Sequence, residues 1–265
     1  MLKDITLGQY IPADTPIHKL DARTKILATM GFITVIFLVN KIAAYTLVFL
    51  FLMLVVALGR ISLKHLIKSL KPVVLIIVFT AVINMLMTPG DILYQFYFIK
   101  ITSQGINMAL FMSIRLVLLI AGASIMTLTT SPIALTDGLE KLLSPGKKIG
   151  LPAHELAMMM TIALRFIPTL LEETDKIMKA QMARGADFES GNVMARARSL
   201  VPLLVPLFVG AFRRADELAT AMEARCYRGG DKRTRMKELR LTSLDIVAGV
   251  FSAVFMAGVI WLRAT

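Results

Sequence analysis

Long apolar runs alternate with short polar segments along most of this chain. Five such runs occupy residues 26–39, 42–58, 72–87, 109–130 and 246–262. A helix that crosses a bilayer needs about 20 mostly apolar residues, so the first two runs together are too long for one span. A turn at Asn40-Lys41 separates them. The pattern therefore predicts an all-α, polytopic membrane protein with about five transmembrane helices.

The basic residues between the apolar runs predict the orientation of these helices, because cytoplasmic loops concentrate lysine and arginine. Basic side chains crowd the segment before the first run and the loop between the second and third: Lys19, Arg23, Lys25, Arg60, Lys64, Lys68 and Lys71. The alternate loops carry only Lys41, and then Asp91 with Lys100. We therefore expect a cytoplasmic N-terminus and an external C-terminus, with four spans in residues 1–130, a cytoplasmic domain at 131–240 and a last span at 241–265.

The predicted cytoplasmic domain mixes charged residues with long apolar stretches, which is typical of helices that lie against a membrane. Residues 153–183 mostly favour helix and would form a rod about 45 Å long. Proline removes an intrahelical hydrogen bond, so Pro168 is expected to bend this helix, and Pro202 and Pro206 the next one. The apolar stretch 201–211 is too short for a sixth span and is predicted to lie under the bilayer, in contact with a membrane partner.

The ends of these two long helices repeat each other. Gly185 and Gly229-Gly230 are the predicted stops. The segment Ala180-Gln181-Met182-Ala183-Arg184-Gly185 matches Ala221-Met222-Glu223-Ala224-Arg225-Cys226 at both alanines and at the arginine. Small residues three apart leave a helix face shallow, and arginine adds a permanent charge with five donors. Two solvated arginines, or a device that docks a partner protein, remain open as interpretations.

Composition and charge narrow the class of protein. The chain is 56% hydrophobic with a formal net charge of +12, but its basic residues lie beside apolar runs, which favours membrane topology over nucleic-acid binding. Cys226 is the single cysteine, so no intrachain disulfide can form. The three histidines, at 18, 65 and 154, lack metal-ligand spacing. We expect no metal and no cofactor.

Three motifs resemble one known family, the transmembrane component of energy-coupling factor transporters (EcfT), which is related to the membrane subunit of cobalt and nickel importers. Pro16-Ile17-His18-Lys19-Leu20-Asp21-Ala22-Arg23-Thr24-Lys25 resembles the family's entry motif before the first span. Ala163-Leu164-Arg165-Phe166-Ile167-Pro168, followed by Glu172 and Glu173, resembles its first coupling helix. Ala215-Asp216-Glu217 through Ala224-Arg225-Cys226 resembles the second.

The resemblance implies a function and a set of docking residues. In that family two coupling helices cross beneath the membrane, and a short motif at each end inserts into a groove on one of two cytoplasmic ABC-type ATPases. The matching positions are Ala183, Arg184, Gly185, Ala224, Arg225 and Cys226. Cys226 stands where glycine is usual. The chain would be the coupling subunit of an ATP-driven micronutrient importer in the cell membrane, and a separate membrane subunit, the S component, would bind the substrate.

Other functional classes remain as alternatives at this stage. The segment Ser144-Pro145-Gly146-Lys147-Lys148 lacks the first glycine and the hydroxyl of a phosphate-binding loop, so the chain is not expected to hydrolyse ATP. A self-contained channel or secondary transporter would place charges or broken helices at mid-membrane. Arg115 is the one candidate of that kind, and it could instead snorkel to the interface. An intramembrane enzyme would need a zinc-binding or Ser/His constellation within the spans.

Overall fold

The computed structural model describes residues 10–96, 99–186, 188, 192, 194, 198–229 and 239–264. They form two compact units, each considered by itself. The first, here called the membrane unit, lies within Gly8–Leu142 and Leu239–Thr265. The second, here called the helix pair, lies within Leu143–Glu238.

The described residues are almost entirely helical, which confirms the predicted fold class. In chain order the elements are α1 (Pro16–Lys19), α2 (Ala22–Leu38), α3 (Ile42–Gly59), α4 (Leu63–Leu70), a 3-10 turn (Lys71–Val73), α5 (Val74–Met87), β1 (Ile92–Phe96), β2 (Ile99–Thr102), α6 (Ser103–Thr129), α7 (Pro132–Leu143), a second 3-10 segment (Ser144–Ile149), α8 (Ala153–Ala183), α9 (Val201–Ala224) and α10 (Ser243–Ala264). Helices α8 and α9 belong to the helix pair.

Five helices among the described residues are long and apolar enough to cross a membrane: α3, the continuous segment Leu63–Met87, α6, α8 and α10. Four of them coincide with predicted runs. The other predicted run forms α2, whose 17 residues extend about 26 Å, close to the hydrocarbon thickness of about 30 Å. Helix α8 qualifies with a mean hydropathy of 1.2, the lowest of the five.

The core of the membrane unit is apolar and lies among α2, α3, α6 and α10. Its most deeply buried side chains include Ile36, Val39, Val48, Leu128 and Val259. The ring of Phe51 stacks on Phe255 at a centroid distance of 3.9 Å and lies 6.1 Å from Phe32. A Cβ at Gly122 would clash with the ring of Phe32. Glycine therefore lets α6 approach α2 closely, a common way to gain packing contacts between helices in a bilayer.

A polar cluster joins the start of α2 to the start of α10. Asp21 caps α2 by accepting a hydrogen bond from the backbone N–H of Arg23 at 2.9 Å, and it pairs with the Arg23 guanidinium at 2.8 Å. Burial raises the pKa of Asp21, but the hydrogen bonds from Arg23 outweigh it and lower the pKa below its usual value. Asp245 accepts from the Asp21 N–H at 2.7 Å and from Thr242. Arg23 also donates to the Leu239 carbonyl at 3.3 Å.

Two further residues of the entry motif, Lys25 and His18, connect the N-terminal segment to the end of α6. The Lys25 ammonium donates to the Thr129 carbonyl at 2.8 Å and to the His18 carbonyl at 3.2 Å. The His18 ring lies between the Ile11 carbonyl at 3.1 Å and the Thr15 hydroxyl at 2.6 Å, and burial lowers the pKa of this histidine. A neutral ring can donate to the carbonyl and accept from the hydroxyl. The entry motif therefore fastens the ends of three helices and the N-terminal segment.

Arg115 binds the turn between α2 and α3, at the predicted Asn40-Lys41 hairpin. Its guanidinium donates to the Val39 carbonyl at 2.7 Å, to the Tyr45 hydroxyl at 3.1 Å and to the Asn40 side chain at 3.4 Å. It thus reaches the end of the span, as the snorkelling interpretation expects. Because Val39 and Asn40 belong to the turn, Arg115 satisfies the end of α2, and its bond to Tyr45 also connects it to α3.

A short antiparallel hairpin, β1 and β2, joins α5 to α6 and was not predicted. Its strands have 5 and 4 residues, too short for an alternating pattern to be distinguished in the sequence. Thr102 ends the hairpin and caps α6 by accepting from the Gly105 N–H at 3.0 Å. Gln104 donates to the Asp91 carboxylate and accepts from its N–H, both at 2.8 Å. These bonds fix the loop to the helix that follows.

Candidate docking site

The helix pair consists of the two long helices that the sequence predicts. Helix α8 spans Ala153–Ala183, the predicted range, and continues through Pro168. Helix α9 spans Val201–Ala224 and contains Pro206 in its interior. Pro202 lies in the first turn of α9, so the prediction that it bends the helix is wrong. The backbone N–H groups of a first turn have no intrahelical acceptor, and proline there removes no hydrogen bond.

Helix α8 ends in a Schellman motif. Gly185 has a left-handed backbone, with φ of +88°, and confirms the predicted stop. Its N–H donates to the Met182 carbonyl at 2.9 Å, and the Ala186 N–H donates to the Gln181 carbonyl at 2.9 Å. These two bonds define the motif and satisfy carbonyls that a helix end would otherwise leave unpaired. Arg184 is the last residue before the turn.

Helix α9 ends in the same motif, although no glycine is present. Cys226 takes the left-handed backbone with φ of +56°. Its N–H donates to the Glu223 carbonyl at 2.8 Å, and the Tyr227 N–H donates to the Met222 carbonyl at 3.0 Å. A left-handed conformation costs a residue with a side chain about 1–2 kcal/mol, so this turn is strained. Arg225 is again the last residue before the turn.

The predicted stop at Gly229-Gly230 is wrong. Gly229 does have a left-handed backbone, with φ of +87°, but it lies beyond the end of α9 at Ala224. Gly230 lies outside the described residues. The stop is instead at Cys226, because the hydrogen bonds of the Schellman motif close there. A search for glycine alone overlooks a turn that another residue can adopt at an energetic cost.

The two helix ends are nearly identical in backbone geometry. Arg184 has φ −89° and ψ 7°, and Arg225 has φ −92° and ψ 14°. All six predicted docking residues are exposed. Within the described part of the chain, neither guanidinium makes a hydrogen bond or an ion pair. Each end therefore presents a small, shallow helix face followed by an arginine whose five donors are available to a partner.

Two side-chain contacts and one glycine hold α8 and α9 together in antiparallel order. Glu173 pairs with Arg214 at 2.5 Å, and the Gln181 amide donates to the Pro202 carbonyl at 3.5 Å. A Cβ at Gly210 would lie 3.1 Å from the Glu173 carboxylate, so glycine leaves room for this pair. A residue later in α8 therefore contacts a residue earlier in α9, so the two helices are antiparallel.

The antiparallel order separates the two docking ends. Arg184 lies just past Gln181 and hence beside the start of α9. Arg225 lies at the other end of that helix, whose 24 residues extend about 36 Å. The two arginines therefore lie at opposite ends of the helix pair. This spacing suits two separate binding partners.

An exposed apolar stripe runs along the first half of α9. Its members recur at helical spacings of three and four, and between 45% and 69% of each side chain is exposed: Val201, Leu204, Val205, Phe208, Val209 and Phe212. Leu203, on another face, is buried at 6% exposure. The sequence indicated an apolar segment here without showing which face is free. A contiguous exposed apolar surface of this kind usually marks an interaction site.

The sequence of this chain is similar to those of known membrane transport proteins. Residues 13–236 match a family model described as "Cobalt transport protein" (CbiQ). The chain is 58% identical to the energy-coupling factor transporter transmembrane protein EcfT of Thermosediminibacter oceani, with 99% of each chain covered. It is 56% identical to the EcfT of Clostridium kluyveri, covering 97% of this chain and 96% of the relative. It is 49% identical to that of Bacillus subtilis over the full length of both.

The strained turn at Cys226 gives a direct test of this site. Cys226→Val should open the turn, because a β-branched residue tolerates the left-handed backbone worse than cysteine does. Hydrogen exchange of the backbone amides at position 226 and at Tyr227 should then accelerate at least tenfold in the purified chain. Cys226→Gly should retain protection, and Cys226→Ala should behave like the wild type if the thiol itself contributes nothing. Equal protection in the valine and glycine variants would contradict the turn.

Proposed function

The chain belongs to the EcfT family of energy-coupling factor transporter transmembrane proteins, and from this membership we propose that it couples two cytoplasmic ATPases to a substrate-binding membrane subunit. It is a multi-pass membrane protein and a non-catalytic subunit of its transporter. Family membership decides against the alternatives of a self-contained channel and of an intramembrane enzyme. The transported compound is then selected by the substrate-binding subunit.

The matched helix ends support the ATPase-docking part of this proposal. Arg184 and Arg225 follow the same turn, carry no competing partner among the described residues and lie a helix length apart. A guanidinium in a partner's groove can donate to carboxylates or to backbone carbonyls, and such charge-assisted bonds are about twice as strong as neutral ones. Two equivalent ends, facing different partners, fit one ATPase each.

The apolar stripe on α9 supports a contact with the substrate-binding subunit. Its side chains would have to be covered by a lipid surface or by an apolar protein face. We assign it to the membrane-embedded partner, because its apolar side chains suit an apolar protein face rather than the charged contacts proposed for the arginines. The stripe lies beside Arg184 and away from Arg225, so the membrane partner and one ATPase would bind neighbouring surfaces.

The orientation in the membrane is also part of the proposal. Loop charges favour a cytoplasmic N-terminus, a cytoplasmic segment 131–240 and an external C-terminus. Helix α8 is then cytoplasmic despite its length, which agrees with its low hydropathy. The hairpin between α5 and α6 lies outside the cell in this arrangement.

Replacing both docking arginines should release the ATPases. Loss of one charged group from a desolvated contact costs about 2–5 kcal/mol, so Arg184→Ala or Arg225→Ala alone should weaken binding while the other end retains the linked ATPases. The double variant should lower ATPase co-purification more than tenfold and abolish uptake. Membrane abundance is the control, because neither side chain supports the membrane unit. Wild-type ATPase recovery with the double variant would show that these arginines are merely solvated.

Charges on the α9 stripe should release the membrane partner and spare the ATPases. Val205→Asp with Val209→Asp would place two carboxylates in an apolar interface, where an unpaired charge costs several kcal/mol. We expect at least a tenfold loss of the substrate-binding subunit in pull-downs. Ala215→Asp with Ala219→Asp provides the matched control, since both alanines are exposed on the same helix with the same spacing. Equal loss in both pairs, or in neither, would contradict the assignment.

Cysteine labelling of intact cells can test the orientation. In a Cys226→Ala background, Ile92→Cys should react with a membrane-impermeant maleimide, because the hairpin is expected outside. Lys68→Cys should react only after the membrane is permeabilised. Both positions are exposed in the structure, so burial does not explain a difference between them. The opposite labelling pattern would overturn the proposed topology.

A further inference from the structure

The membrane unit contains an apolar cavity of about 410 Å³ bordered by α1, α2, α3, α6 and α10. Four of its helices line it over two turns, with pairs of residues seven positions apart: Lys25 and Phe32, Phe51 and Leu58, Gly122 and Thr129, Leu244 and Phe251. Seven residues rise about 10 Å along a helix. The cavity therefore extends about 10 Å inward from the level where α2 and α10 begin and α3 and α6 end.

The cavity is polar at one end and aromatic at the other. Lys25 and Thr129 line the end nearest the helix termini. At the inner end the Phe51 ring lies between Phe32 at 6.1 Å and Phe251 at 5.7 Å. A ligand that fits this cavity has one polar end and one hydrocarbon end. Its polar end faces the membrane surface and its hydrocarbon end faces the membrane centre.

Lys25 can bind the polar end of such a ligand. Only 7% of the residue is exposed, and its ammonium donates to the Thr129 and His18 carbonyls. An ammonium has three donors, and no described residue accepts the third. Asp21 and Asp245 lie near enough to offset its charge. An ester or phosphate oxygen could therefore accept the remaining hydrogen bond without a full negative charge being required.

The size and surroundings of the cavity indicate its occupant. A helix with its side chains is about 10–12 Å wide and cannot enter, whereas 410 Å³ falls within the range of small-molecule sites. Five large apolar lining residues are also more than a third exposed, among them Leu54 at 42%, Leu58 at 50% and Val247 at 65%. In a multi-pass membrane protein such side chains contact lipid. The cavity is thus continuous with the hydrocarbon around it.

We propose that this cavity binds one acyl chain of a phospholipid, whose ester or phosphate oxygens accept a hydrogen bond from Lys25. The lipid comes from the leaflet on the side where α2 begins. Its chain fills the space between α3 and α10 that side chains leave open, and it ends against the three phenylalanine rings. This site concerns the membrane unit alone and does not depend on the docking of any partner.

Filling the cavity tests this proposal. Ala248 lines it on α10, and Ala253 is exposed on the same helix outside it, so Ala248→Phe and Ala253→Phe form a matched pair. Native mass spectrometry of the full-length chain, purified in mild detergent, should show one retained phospholipid in the wild type and in Ala253→Phe. Ala248→Phe should retain at least tenfold less. Equal lipid retention in the two variants would overturn the proposal.

A second measurement avoids dependence on how Ala248→Phe folds. The wild-type chain is placed in phosphatidylglycerol or phosphatidylcholine vesicles that contain a phospholipid with a photoreactive acyl chain. Cross-links on peptides from the cavity lining, with competition by excess unlabelled phospholipid, would support the site. Cross-links confined to exposed residues outside the cavity lining, or lining cross-links that excess unlabelled phospholipid does not reduce, would overturn it.

Discussion

Every α-helix leaves backbone groups unpaired at its ends, and a chain with this much apolar surface cannot rely on water to satisfy them. The structure meets this constraint with side chains or turns at several helix ends. Arg115 binds the carbonyl that ends α2, and Lys25 binds one that ends α6. Asp21 and Asp245 bind N–H groups at the starts of α2 and α10. Several buried or half-buried polar residues of this membrane unit thus pair the backbone groups at helix ends.

The same constraint shapes the two proposed docking ends. A Schellman motif pairs the last carbonyls of α8 and α9 internally, so the adjoining arginine side chain is not needed as a cap. Arg184 and Arg225 are therefore left available, whereas Arg115 and Lys25 bind the carbonyls at helix ends. The strain at Cys226 fits this interpretation. Cys226 pays about 1–2 kcal/mol for its left-handed backbone, and this backbone closes the turn that follows Arg225.

The sequence predicted most of the fold because hydropathy and helix length carry that information directly. The range of α8, the Gly185 stop and the hairpin at Asn40-Lys41 followed from local residues. The features that escaped prediction depend on the hydrogen bonds or packing of the folded chain. The resemblance implied that α9 ends at Ala224-Arg225-Cys226, but the left-handed turn at Cys226 needs bonds to two carbonyls that no local pattern shows. The cavity depends on how side chains from several helices pack. The β-hairpin was too short to leave a pattern.

Helix α9 also suggests how the two kinds of contact could communicate. Its apolar stripe ends at Phe212, and Arg225 lies 13 residues further, about 20 Å along the same rod. Arg214, two residues past the stripe, pairs with Glu173, and Gly210 leaves room for that carboxylate, so α8 is fixed to α9 at this point. In the proposed function, a partner that displaces Arg225 would also displace the stripe and, through the salt bridge, α8, whose end carries Arg184. The salt bridge between Glu173 and Arg214 would thus couple the motions of α8 and α9.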